Sequence, residues 1–142
     1  HEHIGPKIID RVGLRYIDRV LIDGVGDIAT LVRQEVIGIL ATPMAAAAQQ
    51  ALSESLFAVP NTRAQLLARG GQVPPQSTVD PNAIESVDSP SWILDLDMFS
   101  VESQPFDPEA LVAEIRTYAE RIYTVFRWAV TEEFLRRYGG EL

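Results

Sequence analysis

Two stretches of this chain alternate with a period of two and carry opposite charge on their polar positions. In residues 10–20, Val12, Leu14 and Tyr16 fall on one side while Arg11, Arg15 and Arg19 fall on the other. In residues 92–99, Trp92, Leu94, Leu96 and Met98 share a side, with Asp95 and Asp97 opposite. Strand side chains point alternately to the two faces of a sheet, so each stretch reads as a strand with one apolar and one charged face. Placed side by side, the two would set arginines beside aspartates across the sheet, each pair contributing about 0.2–1 kcal/mol.

The rest of the chain is read around this pair. Ile8–Ile22 reads as one long strand, ended by Asp23-Gly-Val-Gly26. Asp27 can cap a short helix, with Ile28, Leu31, Val32, Glu35 and Val36 at helical spacing. Met44–Leu52, rich in alanine, reads as a second short helix or a loop. Ser55–Val59 and Arg63–Arg69 flank Pro60-Asn-Thr62 and read as a hairpin, against a rival helix from Asn61 to Gly70. Gly70–Pro90, with four prolines, reads as a long loop of little regular structure. Asp107-Pro-Glu109 is a helix start: a capping acid, proline at the first helical position, an acid in the first turn. Leu111, Ile115, Tyr118, Ile122, Phe126 and Ala129 then form one apolar stripe. Thr131 looks like a fresh cap, Glu132/Arg136 and Glu133/Arg137 are favourable pairs four residues apart, and Gly139-Gly140 ends the helix.

The order of elements predicts a single α+β domain over residues 1–142: a mostly antiparallel sheet of about four strands packed against a long C-terminal helix. A chain of 142 residues buries enough surface to need no cross-link, and it has no cysteine to make one. A formal net charge of −8 repels phosphate backbones and argues against nucleic acid. No stretch reaches the roughly 20 apolar residues a membrane span requires, and a cytoplasmic location is expected. The chain begins His-Glu-His, which suggests a trimmed N-terminus; His1 and His3 are its only histidines. A histidine-based triad is therefore not expected, and no serine sits in a glycine-flanked nucleophile elbow. Trp92 and Trp128 are expected in the core.

Gly13-Leu-Arg-Tyr-Ile-Asp-Arg19, Leu94-Asp-Leu-Asp-Met-Phe99 and a helix opened by Phe106-Asp-Pro-Glu109 occur in that order. Together they resemble a sporadically distributed family of uncharacterised prokaryotic proteins with G-L-R-Y-I-N-R and L-D-I-D-x-F strands. The resemblance implies a longer protein of which this chain is the C-terminal part. Asp18 stands where the family has Asn. The resemblance implies no activity, cofactor or catalytic residue.

Three readings of function follow. The first is a non-catalytic interaction or scaffold domain, associating with itself or with its own N-terminal half, since Ile17, Ile93 and Phe99 interrupt the charged face and suit a covered surface. The second is a domain binding a small anion, with Arg15 or Arg19 as anchor and the 70–90 loop as lid. The third, least favoured, is a metal-dependent hydrolase using Asp95 and Asp97, which guanidinium neighbours would oppose. Arg11, Arg15, Arg19, Asp95 and Asp97 are thus the candidate ligand- or partner-binding residues. No catalytic residue, metal ligand or cofactor is assigned.

Overall fold

In the computed structural model, residues 8–9, 11–21, 27–78, 80–82 and 84–138 are described. The chain runs β1 (Ile8–Ile9), β2 (Val12–Leu21), α1 (Asp27–Leu31), α2 (Gln34–Ile37), two 3-10 turns (Gly38–Ala41 and Pro43–Ala47), β3 (Ala51–Ala58), β4 (Gln65–Val73), β5 (Ser91–Ser100), β6 (Gln104–Pro105), α3 (Pro108–Ala129) and α4 (Glu132–Arg137). The main sheet has four strands in the order β2-β5-β4-β3, all neighbours antiparallel, and the 22-residue α3 packs against it. This is the α+β layer predicted from the alternation and the helical stripe.

Parity sorts the side chains. Val12, Val20, Trp92, Leu94, Leu96, Met98 and Leu66 face the helix and form the core with Tyr118, Ile122, Phe126 and Ala129 of α3. Tyr16 meets Phe126 edge-on at 5.3 Å between ring centroids, and burial with Asp18 nearby pushes its phenol up to about 12. The Asp107 carboxylate accepts from the backbone N–H of Glu109 and Ala110, and Thr131 Oγ1 accepts from Phe134 N–H, so both predicted caps form. Segment 27–37 docks at the joint between α3 and α4, where Arg33 N–H donates to Ala129 O and Thr131 N–H to Leu31 O.

Four expectations are corrected. The first strand is not continuous from residue 8: Ile8–Ile9 pairs with Gln104–Pro105, apart from the main sheet. The alanine-rich run is not a helix through Leu52; a 3-10 turn ends at Ala47 and β3 begins at Ala51, because sheet pairing with β4 outweighs alanine's helical preference. The hairpin forms, but with longer strands than Ser55–Val59 and Arg63–Arg69, and the rival helix does not. The loop starts at Pro74, since Gly70 and Gly71 are still strand. Gly71 has φ +148°, and a Cβ there would lie 1.9 Å from the Ala51 carbonyl oxygen, so only glycine lets β3 pair this closely. The 23–26 break, the Gly139-Gly140 stop, Asp10, His1 and His3 lie outside the described residues.

Candidate functional site

The sheet's second face carries the charged row. Register sets Arg15 opposite Asp97, Ile17 opposite Asp95 and Arg19 opposite Ile93. Arg15 reaches diagonally to Asp95 with two parallel bonds, Nε to Oδ1 at 2.9 Å and Nη2 to Oδ2 at 2.7 Å. Arg69, opposite Asp95 on β4, adds a third at 2.9 Å from Nη2 to Oδ2. The Asp95 side chain is 1% exposed. Arg11 lies over the Phe99 ring and 3.7 Å from Asp97. Of the five residues singled out in the sequence, Arg15 and Asp95 are joined directly, Arg11 and Asp97 loosely. Arg19 joins neither aspartate; its Nε and Nη2 are buried and, among the described residues, have no hydrogen-bond partner. Arg69 is not among the five: the sequence places it in the Arg63–Arg69 strand but not beside Asp95.

Loop 74–90 reaches over this face. Arg15 Nη1 donates to Asp80 Oδ2 at 3.1 Å, and Ser91, Ile93 and Asp95 are fully buried. The loop is tied internally: Gln76 N–H donates to Val87 O, Thr78 Oγ1 to Ile84 O, and Gln76 Nε2 to Asp88 Oδ1. Asp80 is held below the usual carboxylate range, first by the Asn82 N–H and then by Arg15. Asp95 is therefore committed to two arginines, while Asp97 has only the loose 3.7 Å contact with Arg11. Among the described residues no group of three or more His, Cys, Asp or Glu side chains is placed to hold a metal ion. No helix of the described residues is long and apolar enough to cross a membrane.

The helix-side face presents a different surface. A helix with its side chains is about 10 Å across and strands lie about 4.8 Å apart, so one helix roofs roughly two strands. Here α3 packs on β2 and β5. The uncovered half leaves a cleft of about 650 Å³ between α3 and the β4–β3 half of the sheet. Leu66, Leu94, Leu96 and Met98 form its floor, Phe57 one wall, and Val125 and Trp128 the other. Arg121 and Glu35 are its charged members besides Arg69. Trp128, expected in the core, is 48% exposed, and its ring takes the Arg33 guanidinium at 4.7 Å. The signal for this wall was present: Arg121, Val125 and Trp128 recur at i, i+4 and i+7, a second stripe beside the core stripe. The cleft lies on the face opposite Arg15, Arg19 and the loop expected to close over them.

No protein-family model, curated protein or solved structure matches this chain.

Proposed function

We propose that the chain is a non-catalytic interaction domain that pairs with a second copy of itself through the edge strand β3. The observation that carries this reading is the exposure of that edge. Every residue from Leu52 to Ala58 is exposed, including Leu52 at 51%, Leu56 at 56% and Phe57 at 51%. An open edge offers a row of backbone donors and acceptors to another strand, and proteins usually blunt it with lysine, proline or a bulge. β3, Ala-Leu-Ser-Glu-Ser-Leu-Phe-Ala, has no lysine, proline or bulge, and Glu54 is its one charge.

Strand addition about a two-fold axis normal to the sheet pairs residues of equal parity. A register centred on Glu54 sets Leu52 against the partner's Leu56, and Ser53 against the partner's Ser55, twice over. Arg69 Nη1, 4.0 Å from Glu54 Oε1, supplies counter-charge where the two glutamates meet. The result is one eight-stranded sheet. The commitment of Asp95 to two arginines supports a structural rather than a catalytic use of the charged face.

Size-exclusion chromatography with light scattering tests this reading. A mass of twice the chain is expected, reverting to one chain in Leu56→Lys and Leu52→Lys, which keep their circular dichroism because both side chains already face water. A monomer at every concentration, or a dimer indifferent to both lysines, overturns it.

A further inference from the structure

The helix-side cleft carries an inference independent of self-association. We infer that it binds an amphipathic monocarboxylate, with the carboxylate on Arg121 and the apolar chain lying along α3 toward Trp128. Three observations converge on this ligand class. A volume of about 650 Å³ falls in the range of small-molecule sites, and the floor of Leu66, Leu94, Leu96 and Met98 offers an acyl chain nothing to hydrogen-bond. Arg121 is half-buried in the helix wall and, among the described residues, makes no hydrogen bond or ion pair, so its donors are free for a planar two-oxygen acceptor.

The third observation is charge placement along the cleft. Arg121 and Trp128 are seven residues apart on one helix, about 10.5 Å along its axis. At the Trp128 end, Arg33 Nε donates to Trp128 O and Arg33 N–H to Ala129 O, which brings Glu35 of α2 to that end. Among the side chains that line the long wall, a cation thus lies at one end and a carboxylate at the other; the Arg33 guanidinium stacks on the Trp128 ring without lining the cleft, and the Arg69 guanidinium is turned to Asp95 on the sheet's other face. An anionic head has one favourable orientation, and a second carboxylate at the far end of the ligand meets Glu35. Monocarboxylates are preferred over neutral alcohols by Arg121, and over dicarboxylates of equal length by Glu35.

Trp128 in the wall provides the readout. Titration of the protein with dodecanoate, dodecanol and dodecanedioate is followed by tryptophan fluorescence, with Trp128→Phe as the control for signal origin and isothermal calorimetry for affinity. Dodecanoate binds tightest. Arg121→Gln weakens it by about tenfold or more, to the level of the alcohol, as expected for loss of a charge-assisted pair. Glu35→Gln brings the diacid closer to dodecanoate. Val125→Trp, which fills the cleft from the helix side, abolishes binding of all three. Leu56→Lys, monomeric under the edge-strand reading, still binds, so failure of one reading is separable from failure of the other. Absence of binding, or equal affinity for acid and alcohol that Arg121→Gln leaves unchanged, overturns the inference.

Discussion

Arg15 stands opposite Asp97 in the strand register, yet its guanidinium closes on Asp95, one pleat along, through two bonds of 2.9 and 2.7 Å. Asp95 is also the acceptor for Arg69 from the far side, so one buried carboxylate joins β2, β5 and β4. Removing one partner of such a buried set leaves uncompensated charge, which costs more than the pair contributed.

Asp95→Ala is therefore expected to destabilise the fold by about 3–5 kcal/mol. Asp97→Asn breaks only the 3.7 Å contact with a half-exposed Arg11 and is expected to cost no more than about 1 kcal/mol. Chemical denaturation of the two variants at neutral pH measures the contrast. Equal losses would show that the diagonal partner contributes no more than the register partner.

Asp18 sits on the helix-side face of β2, and burial raises its carboxyl above the ordinary aspartate value, the N–H of Arg19 at 2.9 Å only partly opposing this. The native state then binds more protons than the unfolded chain between the two values, so this group's contribution to stability falls as pH rises through that window. Asp18→Asn removes the burden while keeping an oxygen for Arg19 N–H. A gain of about 0.5–1 kcal/mol at neutral pH is expected, modest because the group keeps some water. The gain shrinks to nothing below the ordinary aspartate value. Melting temperatures across pH 3–7 give the comparison, and a gain that persists in acid would contradict it.

Gly71→Ala is expected to unseat the β3–β4 hairpin. The added Cβ meets backbone, the Ala51 oxygen at 1.9 Å and Leu52 Cα at 2.8 Å, so no side-chain rotation relieves it. The cost, strain plus lost pairing, is about 2–4 kcal/mol. Gly70→Ala, whose nearest contact is Ile93 O at 3.1 Å, is the milder comparison. Thermal unfolding of both ranks them.

Asp80 is the loop's link to the charged face. Its lowered carboxyl contributes above the ordinary aspartate value and is lost as pH falls through the depressed one. Asp80→Asn at neutral pH should speed hydrogen exchange of the Gln76 and Ile84 amides while leaving β5 amides protected. Unchanged exchange in the loop would mean that its internal bonds suffice.

The parts of this architecture legible in the sequence are those fixed by local period and capping. The alternation of 12–20 and 92–99, the Asp107-Pro108 start and the Thr131 restart depend on neighbours a few residues away, and all appear where the pattern puts them. Arg69 was not legible as Asp95's second partner because β4 finds its register on β5 through contacts 26 residues distant. The alanine-rich segment Met44–Leu52 leaves helix and loop both open, and neither anticipates the strand: a 3-10 turn spans Pro43–Ala47, and β3 takes over at Ala51 because a strand edge is available. The cleft was hidden for a related reason. Nothing local in α3 says which two of four strands it roofs, and Trp128 reads as core until that choice is made.

The double grip on Asp95 also works as an alignment key. A one-residue slide of β5 would turn that carboxylate into the apolar layer under α3 and send Leu94 and Leu96 outward, so the central three strands tolerate a single setting. Among the described residues, β3 has no buried side-chain key of this kind: one 4.0 Å contact from Glu54 and the close backbone approach at Gly71 are what set it. Misregistered pairing, strand exchange between copies and fibre seeding would all begin at that outermost strand, while the keyed trio stays in place.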